Sequence, residues 1–428
     1  MKRLWKKCVA VAGCLLVLGA SVCLVSYFQQ PAPNDVSESP ADSGLITNSS
    51  ECSAADAAPS QSSQQELRGV WIPCMTLQAS EQERTENNYR KKMEAIMSDC
   101  EHRGLNTVIV QVRPFGDALY PSRFFPWSHI LSGKQGVGVD FDPLQLIIEQ
   151  AHAHKLAVHA WINPLRIKLG EAPDDFAETN PFVVWKNDKN TDNDHYTFTY
   201  EKGIYYDPSY PEVRQLIING VRELGENYEI DGLQIDDYFY PSEEKSYDKE
   251  SYRRYVKSVS KGSKTLSQEE WRENNINMLV AGIHAALKST RSDAVFGIAP
   301  QGNLENNRLL SADVQSWCRI RGYADYLCPQ LYVSMEHPLF PFEQLADQWI
   351  GLTKNTSIPV YFGLGLYKAG TDADSGTWLS HSSNIQEQIR SCRQKGADGF
   401  MLYDYDHLHA AGAEQEVENA MAEIPKNG

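Results

Sequence analysis

From Leu67 to the C-terminal region, short runs of β-branched and aromatic residues alternate with stretches whose apolar positions repeat at helical spacing. That alternation is the pattern of a parallel sheet with crossover helices packed outside it. Strands are expected at Leu67–Ile72, Thr107–Arg113, Leu156–Asn163, Gly232–Asp236, Val295–Ala299, Tyr326–Tyr332, Val360–Leu364 and Gly399–Tyr403. Helices are expected at Asn87–Arg103, Pro143–His154, Pro211–Asn227, Glu269–Ser289, Ala312–Gly322, Phe342–Leu352 and Asn384–Lys395, with Ala410–Ile424 a candidate closing helix. About eight strands over roughly 360 residues fit an α/β fold of the (β/α)8 TIM-barrel kind. A doubly wound open sheet is the rival, but neither GxGxxG nor a P-loop follows the first strand.

Alternate residues of a barrel strand point inward or toward the helices. In the second strand Val108, Val110 and Val112 suit the helix-facing side, leaving Thr107, Ile109, Gln111 and Arg113 inward. His159, Trp161 and Asn163 share a face in the third strand, Gln234 and Asp236 face inward in the fourth with Asp237 on the rim, and Gln330 and Tyr332 share a face in the sixth. Polar groups thus collect at strand C-terminal ends, where barrel active sites are built. One such strand would be explained by buried polar residues bonding one another. Four together predict a pocket.

The sharpest motif is Asp231 to Pro241, in which Asp236 and Asp237 leave the fourth strand followed by Tyr238, Phe239 and Tyr240. Crowding of two carboxylates raises one pKa and so prepares a general acid. A purely structural alternative has Asp237 cap the next turn and Asp236 pair with Arg113. Asp117, Asp404 and Asp406 are further rim carboxylates, each alone more often a loop cap than a catalyst. Aromatic residues, Phe115, Trp127, Trp161, Tyr332, Tyr367 and Tyr403 among them, crowd the same loops beside Gln111, Asn163, Gln301, Asn303 and Gln330. Such a surface stacks on sugar rings and bonds their hydroxyls, so a carbohydrate cleft with an acid catalyst is the reading from the residues. His159 is deep and isolated, better suited to the core than to a metal, and the absence of GxSxG counts against an esterase.

Charge and composition narrow the partners. A net charge of -16 in 428 residues opposes binding to phosphate backbones, so nucleic acid is not expected. Cys74, Cys100, Cys318, Cys328 and Cys392 are dispersed and lack metal-site spacing, which reads as buried thiols. Residues 1–28 form a targeting segment: Lys2, Arg3, Lys6 and Lys7 precede an apolar run from Cys8 to about Phe28. Its length approaches the ~20 residues that span a bilayer, which favours an anchor with the rest of the chain outside. Cleavage, or acylation at Cys14 in Val11-Ala12-Gly13-Cys14, are the alternatives. Residues 29–65, rich in Ser, Ala, Pro, Asp and Gln, read as a flexible tether, and 66–428 as the folded domain.

The ordered blocks of the chain resemble the glycosyl hydrolase-like 10 family of bacterial envelope proteins. The blocks include Leu67-Arg68-Gly69-Val70-Trp71, Gln111-Val112-Arg113-Pro114 with Gly116-Asp117-Ala118-Leu119-Tyr120, Pro126-Trp127-Ser128, His159 to Arg166, Tyr206-Asp207-Pro208, Asp231 to Pro241 and Pro329-Gln330-Leu331-Tyr332. The resemblance implies a TIM-barrel glycosidase acting on peptidoglycan glycan strands, especially those stripped of stem peptides. Two departures bear on the site: Gln234 stands where relatives usually have His, and Ala299-Pro300-Gln301-Gly302 replaces a Ser-Pro-Phe-Gly-like run. The candidate catalytic pair is Asp236 and Asp237. Candidate substrate-binding residues are Gln111, Arg113, Asp117, Trp127, His159, Trp161, Asn163, Arg166, Gln234, Tyr238, Tyr240, Gln330, Tyr332 and Tyr367. No metal ligand set and no cofactor is expected, and the partner is a polysaccharide, with membrane contact through the N-terminal segment only and a monomeric chain. Tyr361 to Tyr367 carries no carboxylate, so the acid-plus-nucleophile pair of retaining barrels is missing. Inversion with Asp117, Asp404 or Asp406 as base, or participation of a substrate acetamido group, remain as mechanisms. A wall-binding lectin on the same fold and a hydrolase of another polysaccharide are the rival functions.

Overall fold

The computed structural model describes residues 66–425, so the expected anchor and tether lie outside the described residues. A nine-stranded all-parallel sheet runs in the order β10-β11-β12-β1-β2-β3-β7-β8-β9. Its members are β1 (Leu67–Ile72), β2 (Thr107–Arg113), β3 (Ala157–Ile162), β7 (Gly232–Ile235), β8 (Val295–Ile298), β9 (Tyr326–Leu327), β10 (Gln330–Leu331), β11 (Tyr361–Leu364) and β12 (Gly399–Leu402). β9 and β10 are two pieces of the expected sixth strand, interrupted at Cys328-Pro329, where Pro329 has no N–H for the ladder. The ring closes through them: Cys328 N donates to Ile298 O, Leu327 N to Pro359 O and Gly363 N to Pro329 O. The result is the TIM-barrel-like fold, with eight strand positions around one axis.

Helices α1 (Glu86–His102), α2 (Pro143–Ala153), α3 (Pro211–Asn227), α4 (Gln268–Thr290), α5 (Val314–Arg319), α6 (Phe342–Thr353), α7 (Asn384–Lys395) and α8 (Glu414–Ala422) form the outer layer. Their ends carry local signals. Asp142 caps α2 by accepting from Leu144 N and Gln145 N, Ser267 and Glu270 form a capping box on α4, and Gly396 ends α7 in the left-handed region. Val108, Val110 and Val112 pack into the apolar layer beneath the helices, as their alternation requires. A separate cluster of Trp71, Ile109, Trp161, Ala299, Tyr326, Cys328 and Met401 fills the barrel interior. All five cysteines in the described residues are buried and free.

An inserted antiparallel sheet follows β3, with β4 (Arg166–Lys168) and β5 (Thr197–Tyr200) on either side of β6 (Gly203–Tyr206). The sequence reading does not contain it. β5 and β6 join through Glu201-Lys202, with Glu201 at φ 48°, and such a turn lacks the Asn-Gly or Asp-Gly signature that reveals a hairpin. The helix Lys249–Ser258 is likewise unanticipated, and the expected helix over 312–322 shortens to α5.

Interior bulk is keyed to missing side chains. A Cβ at Gly232 would lie 2.6 Å from the His159 ring, and one at Gly297 would overlap the Tyr326 ring. Gly297→Ala is therefore expected to destabilise the fold by about 1–3 kcal/mol or more, the cost of overpacking a filled core. A urea unfolding curve compared with wild type checks this, and an unchanged midpoint would contradict the packing.

Candidate active site

The end of β7 delivers Asp236 and Asp237 to the C-terminal mouth of the barrel, where they are only 5% and 8% exposed. Burial of two adjacent charges demands donors. Asp236 Oδ2 accepts from Trp161 Nε1 at 3.1 Å and from Asn163 Nδ2, and Oδ1 from Tyr238 N at 3.3 Å. Asp237 is held separately, accepting from Gln330 Nε2 at 2.9 Å through Oδ1 and from Gln301 Nε2 through Oδ2. Adjacent residues thus occupy two distinct networks.

Asn163 links the first network to the barrel wall. Its Oδ1 accepts from Gln111 Nε2 at 2.7 Å and Arg166 Nη2 at 2.9 Å, while Gln111 Oε1 accepts from Cys74 N at 3.0 Å. Arg166 reaches the site from the inserted β4. Its Nε donates to Pro114 O at 2.7 Å, and its guanidinium lies between Phe115 and Tyr238, 5.0 and 4.9 Å from their ring centres. Aromatic rings complete the mouth: Tyr403 stacks on Tyr332 at 5.4 Å and meets Trp71, Trp161 and Tyr367 edge-on. Tyr238, Tyr332, Tyr367 and Tyr403 remain half-buried, so solvent reaches this rim.

Electrostatics separate the two carboxyls. Burial raises Asp236 well above the ordinary carboxylate range, the Asp237 charge raises it further, and Arg166 opposes both. Burial also raises Asp237, but the Gln330 and Gln301 amides favour its ionised form. Both carboxyls are thus pushed toward the protonated form, with more amide donors opposing the shift at Asp237.

Of the residues singled out in the sequence, Asp236, Asp237, Gln111, Trp161, Asn163, Arg166, Tyr238, Gln330, Tyr332 and Tyr367 meet at this mouth. Gln234 and His159 lie one tier below. Gln234 accepts from Trp71 Nε1 at 2.6 Å and donates to Tyr326 OH at 3.1 Å; His159 Nδ1 is 2.9 Å from that same hydroxyl. Burial lowers the His159 pKa to about 4, leaving a neutral ring.

Arg113 differs from the inward placement expected of it. The β2–β3 register slips between Gln111 and Arg113, pairing Arg113 with Ile162 of the outer layer, so a bulge reverses the alternation there. It therefore does not pair with Asp236. Asp117 is fully buried beside His129 and Gln135, Tyr240 packs against Arg272, and Trp127 packs against Gly138, all away from the carboxylates. Asp404 is occupied by His407 and Asp406 by Thr76. Gln301 and Tyr403, expected among the amides and aromatic residues of the cleft, also belong to the site, as does Trp71, which was expected only as part of the first strand and whose signal was strand phase. Among the described residues no group of three or more His, Cys, Asp or Glu is arranged to hold a metal ion.

Comparison with known proteins gives a coherent set of likenesses. The family model described as Glycosyl hydrolase-like 10 matches residues 66–379. The chain is 32% identical over 368 residues to Glycosyl hydrolase YngK of Bacillus subtilis (strain 168), covering 80% of this chain and 69% of that protein. It is 31% identical over 399 residues to Glycosyl hydrolase DigH of Escherichia coli (strain K12), covering 84% and 88%. Among solved structures, the PgaB (BpsB) glycoside hydrolase domain from Bordetella bronchiseptica aligns with a TM-score of 0.55 at 13% identity, over 83% of this chain and 99% of that one. Alpha-L-fucosidase isoenzyme 2 from Paenibacillus thiaminolyticus aligns with a TM-score of 0.51 at 14% identity, over 84% and 49%. At these identities the two structures support the fold alone.

The carboxyl assignments have a direct readout. Asp237→Asn removes the neighbouring negative charge, so the Asp236 carboxyl titrates at lower pH than in wild type when followed by NMR; an unmoved midpoint would contradict the coupling. Stability follows the same sign. A carboxyl raised by folding contributes fully below its unfolded pKa, and that contribution is lost as pH rises through the folded value. Asp236→Asn is accordingly expected to raise the melting temperature more at alkaline than at acid pH.

Proposed function

The chain belongs to the glycosyl hydrolase-like 10 family and is a glycosidase; from that premise we propose that it cleaves peptide-stripped glycan strands of bacterial peptidoglycan, with Asp236 as proton donor. The observation that carries the mechanism is the pair of adjacent buried carboxyls in separate hydrogen-bond networks, with burial and the neighbouring charge raising the Asp236 pKa. The lining supports the substrate class. The half-buried tyrosines and the amides at the mouth suit the rings and hydroxyls of N-acetylated sugars. The basic and apolar N-terminal sequence supports export of this chemistry, with the chain anchored at the outer face of the cytoplasmic membrane, lipidated there, or released by cleavage.

In this scheme Asp236 donates its proton to the glycosidic oxygen as the bond from that oxygen to the anomeric carbon breaks. The departing sugar leaves as an alcohol. Ionised Asp237 faces the positive charge that develops on the ring and accepts a hydrogen bond from the substrate's acetamido N–H, while the acetamido oxygen attacks the anomeric carbon. Asp236, now a carboxylate, takes a proton from the water that opens the cyclic intermediate. Participation by the substrate is favoured over direct water attack because Asp117 is sealed from solvent, Asp404 is engaged by His407 and Asp406 accepts from Thr76.

Incubation of the protein with amidase-stripped and intact peptidoglycan, read by mass spectrometry, tests the proposal. Wild type is expected to release glycan fragments, preferentially from the stripped material. Asp236→Asn is expected to lose about 100-fold or more in turnover while still sedimenting with the glycan, since a general acid acts mainly in the transition state. Sedimentation without release by wild type would overturn the assignment in favour of a binding role. Net retention of anomeric configuration is expected, and net inversion would eliminate acetamido participation.

A further inference from the structure

The loop behind Arg166 holds a group of buried polar atoms that the proposed chemistry does not use. Arg113 is 1% exposed, with its guanidinium 4.5 Å from the centre of the Phe125 ring, yet Nη1 and Nη2 have no protein hydrogen-bond partner. The same holds for Tyr120 OH, Tyr206 OH and Asp117 Oδ1. These groups lie together: Arg113 is within electrostatic reach of Tyr120, Tyr206 and Asp117, and Tyr206 of Asp117. The loop backbone borders them, since a Cβ at Gly116 would lie 3.1 Å from Tyr206 OH.

Neighbouring bonds hold Asp117 in place. Its Oδ2 accepts from His129 Nδ1 at 3.0 Å and Gln135 Nε2 at 2.9 Å, which leaves Oδ1 for another donor. Gln135 Oε1 in turn accepts from Ala177 N and Asn180 Nδ2, each at 3.0 Å, and Asn180 Nδ2 also donates to Gly116 O. A buried guanidinium stays charged and a buried charge needs polar partners. The unmatched set contains the terminal guanidinium N–H groups, two phenols that donate or accept, and one acceptor-only carboxylate oxygen. An inorganic anion would answer the donors but oppose Asp117. Water answers both signs, accepting from Arg113 and a phenol while donating to Oδ1.

We propose that Arg113, Asp117, Tyr120 and Tyr206 enclose a resident-water site that joins the guanidinium to the carboxylate through solvent. The site clamps both ends of the segment from Arg113 to Asp117. That segment supplies the Pro114 carbonyl and the Phe115 ring that hold Arg166.

A crystal structure of the full chain, grown with bromide replacing chloride, tests the assignment. Expected are solvent peaks within hydrogen-bonding distance of Arg113 Nη1 or Nη2 and of Asp117 Oδ1, without bromine anomalous signal. An anomalous peak would make the site an anion site, and a direct Arg113–Asp117 bond or an empty gap would remove it; any of these overturns the proposal. Water-oxygen magnetic relaxation dispersion gives a second reading in solution without substrate. Tyr206→Phe, with an unchanged circular dichroism spectrum, is expected to lose part of the slowly exchanging water contribution. A dispersion identical to wild type would count equally against the site.

Discussion

Two carboxylates adjacent in the chain are taken out of water at the end of β7, and the surrounding architecture answers the free energy this costs. An unpaired buried carboxylate is expensive by several kcal/mol, so each oxygen needs a donor. The donors come from strands that are distant in sequence and adjacent only in a closed barrel. Trp161 and Asn163 follow from β3, Gln301 from the loop after β8 and Gln330 from β10. Ring closure through the interrupted sixth strand therefore matters chemically, because it brings Gln330 round to Asp237.

The interior is organised in tiers below that pair. Gln234, Trp71, Tyr326 and His159 form a neutral hydrogen-bonded floor beneath the carboxyls. Gln234 meets its hydrogen-bonding obligations with Trp71 and Tyr326. Gln301 has a different character, since its amide reaches Asp237 itself. A change of residue type in the floor and a change at the mouth thus have unequal chemical weight.

Much of this was legible in the sequence because period-two alternation and strand-end polarity are local signals. They gave the strand order and the Asp236/Asp237 pair, and placed Gln111, Trp161, Asn163 and Gln330 together. Arg113 was misplaced because one extra residue in a strand reverses every phase beyond it and leaves no mark in composition. The inserted sheet escaped because its hairpin turns on Glu201 rather than on a glycine. Trp71 shows a further limit: it looks like a core aromatic in its own strand, and only its meeting with Tyr403 across the barrel makes it part of the mouth.

The glycines that face bulky interior rings have a consequence for how such a barrel can change. His159 occupies the space a side chain at Gly232 would need, and Tyr326 that at Gly297. A larger residue at either glycine is admissible only if its partner shrinks in the same variant. The two glycines of the floor can therefore be enlarged only in paired substitutions, whereas the loop tyrosines can vary singly. A directed-evolution library for altered glycan preference should randomise the loops position by position and the floor in coupled pairs. Otherwise most of its floor variants would be lost to misfolding before any selection for activity could act.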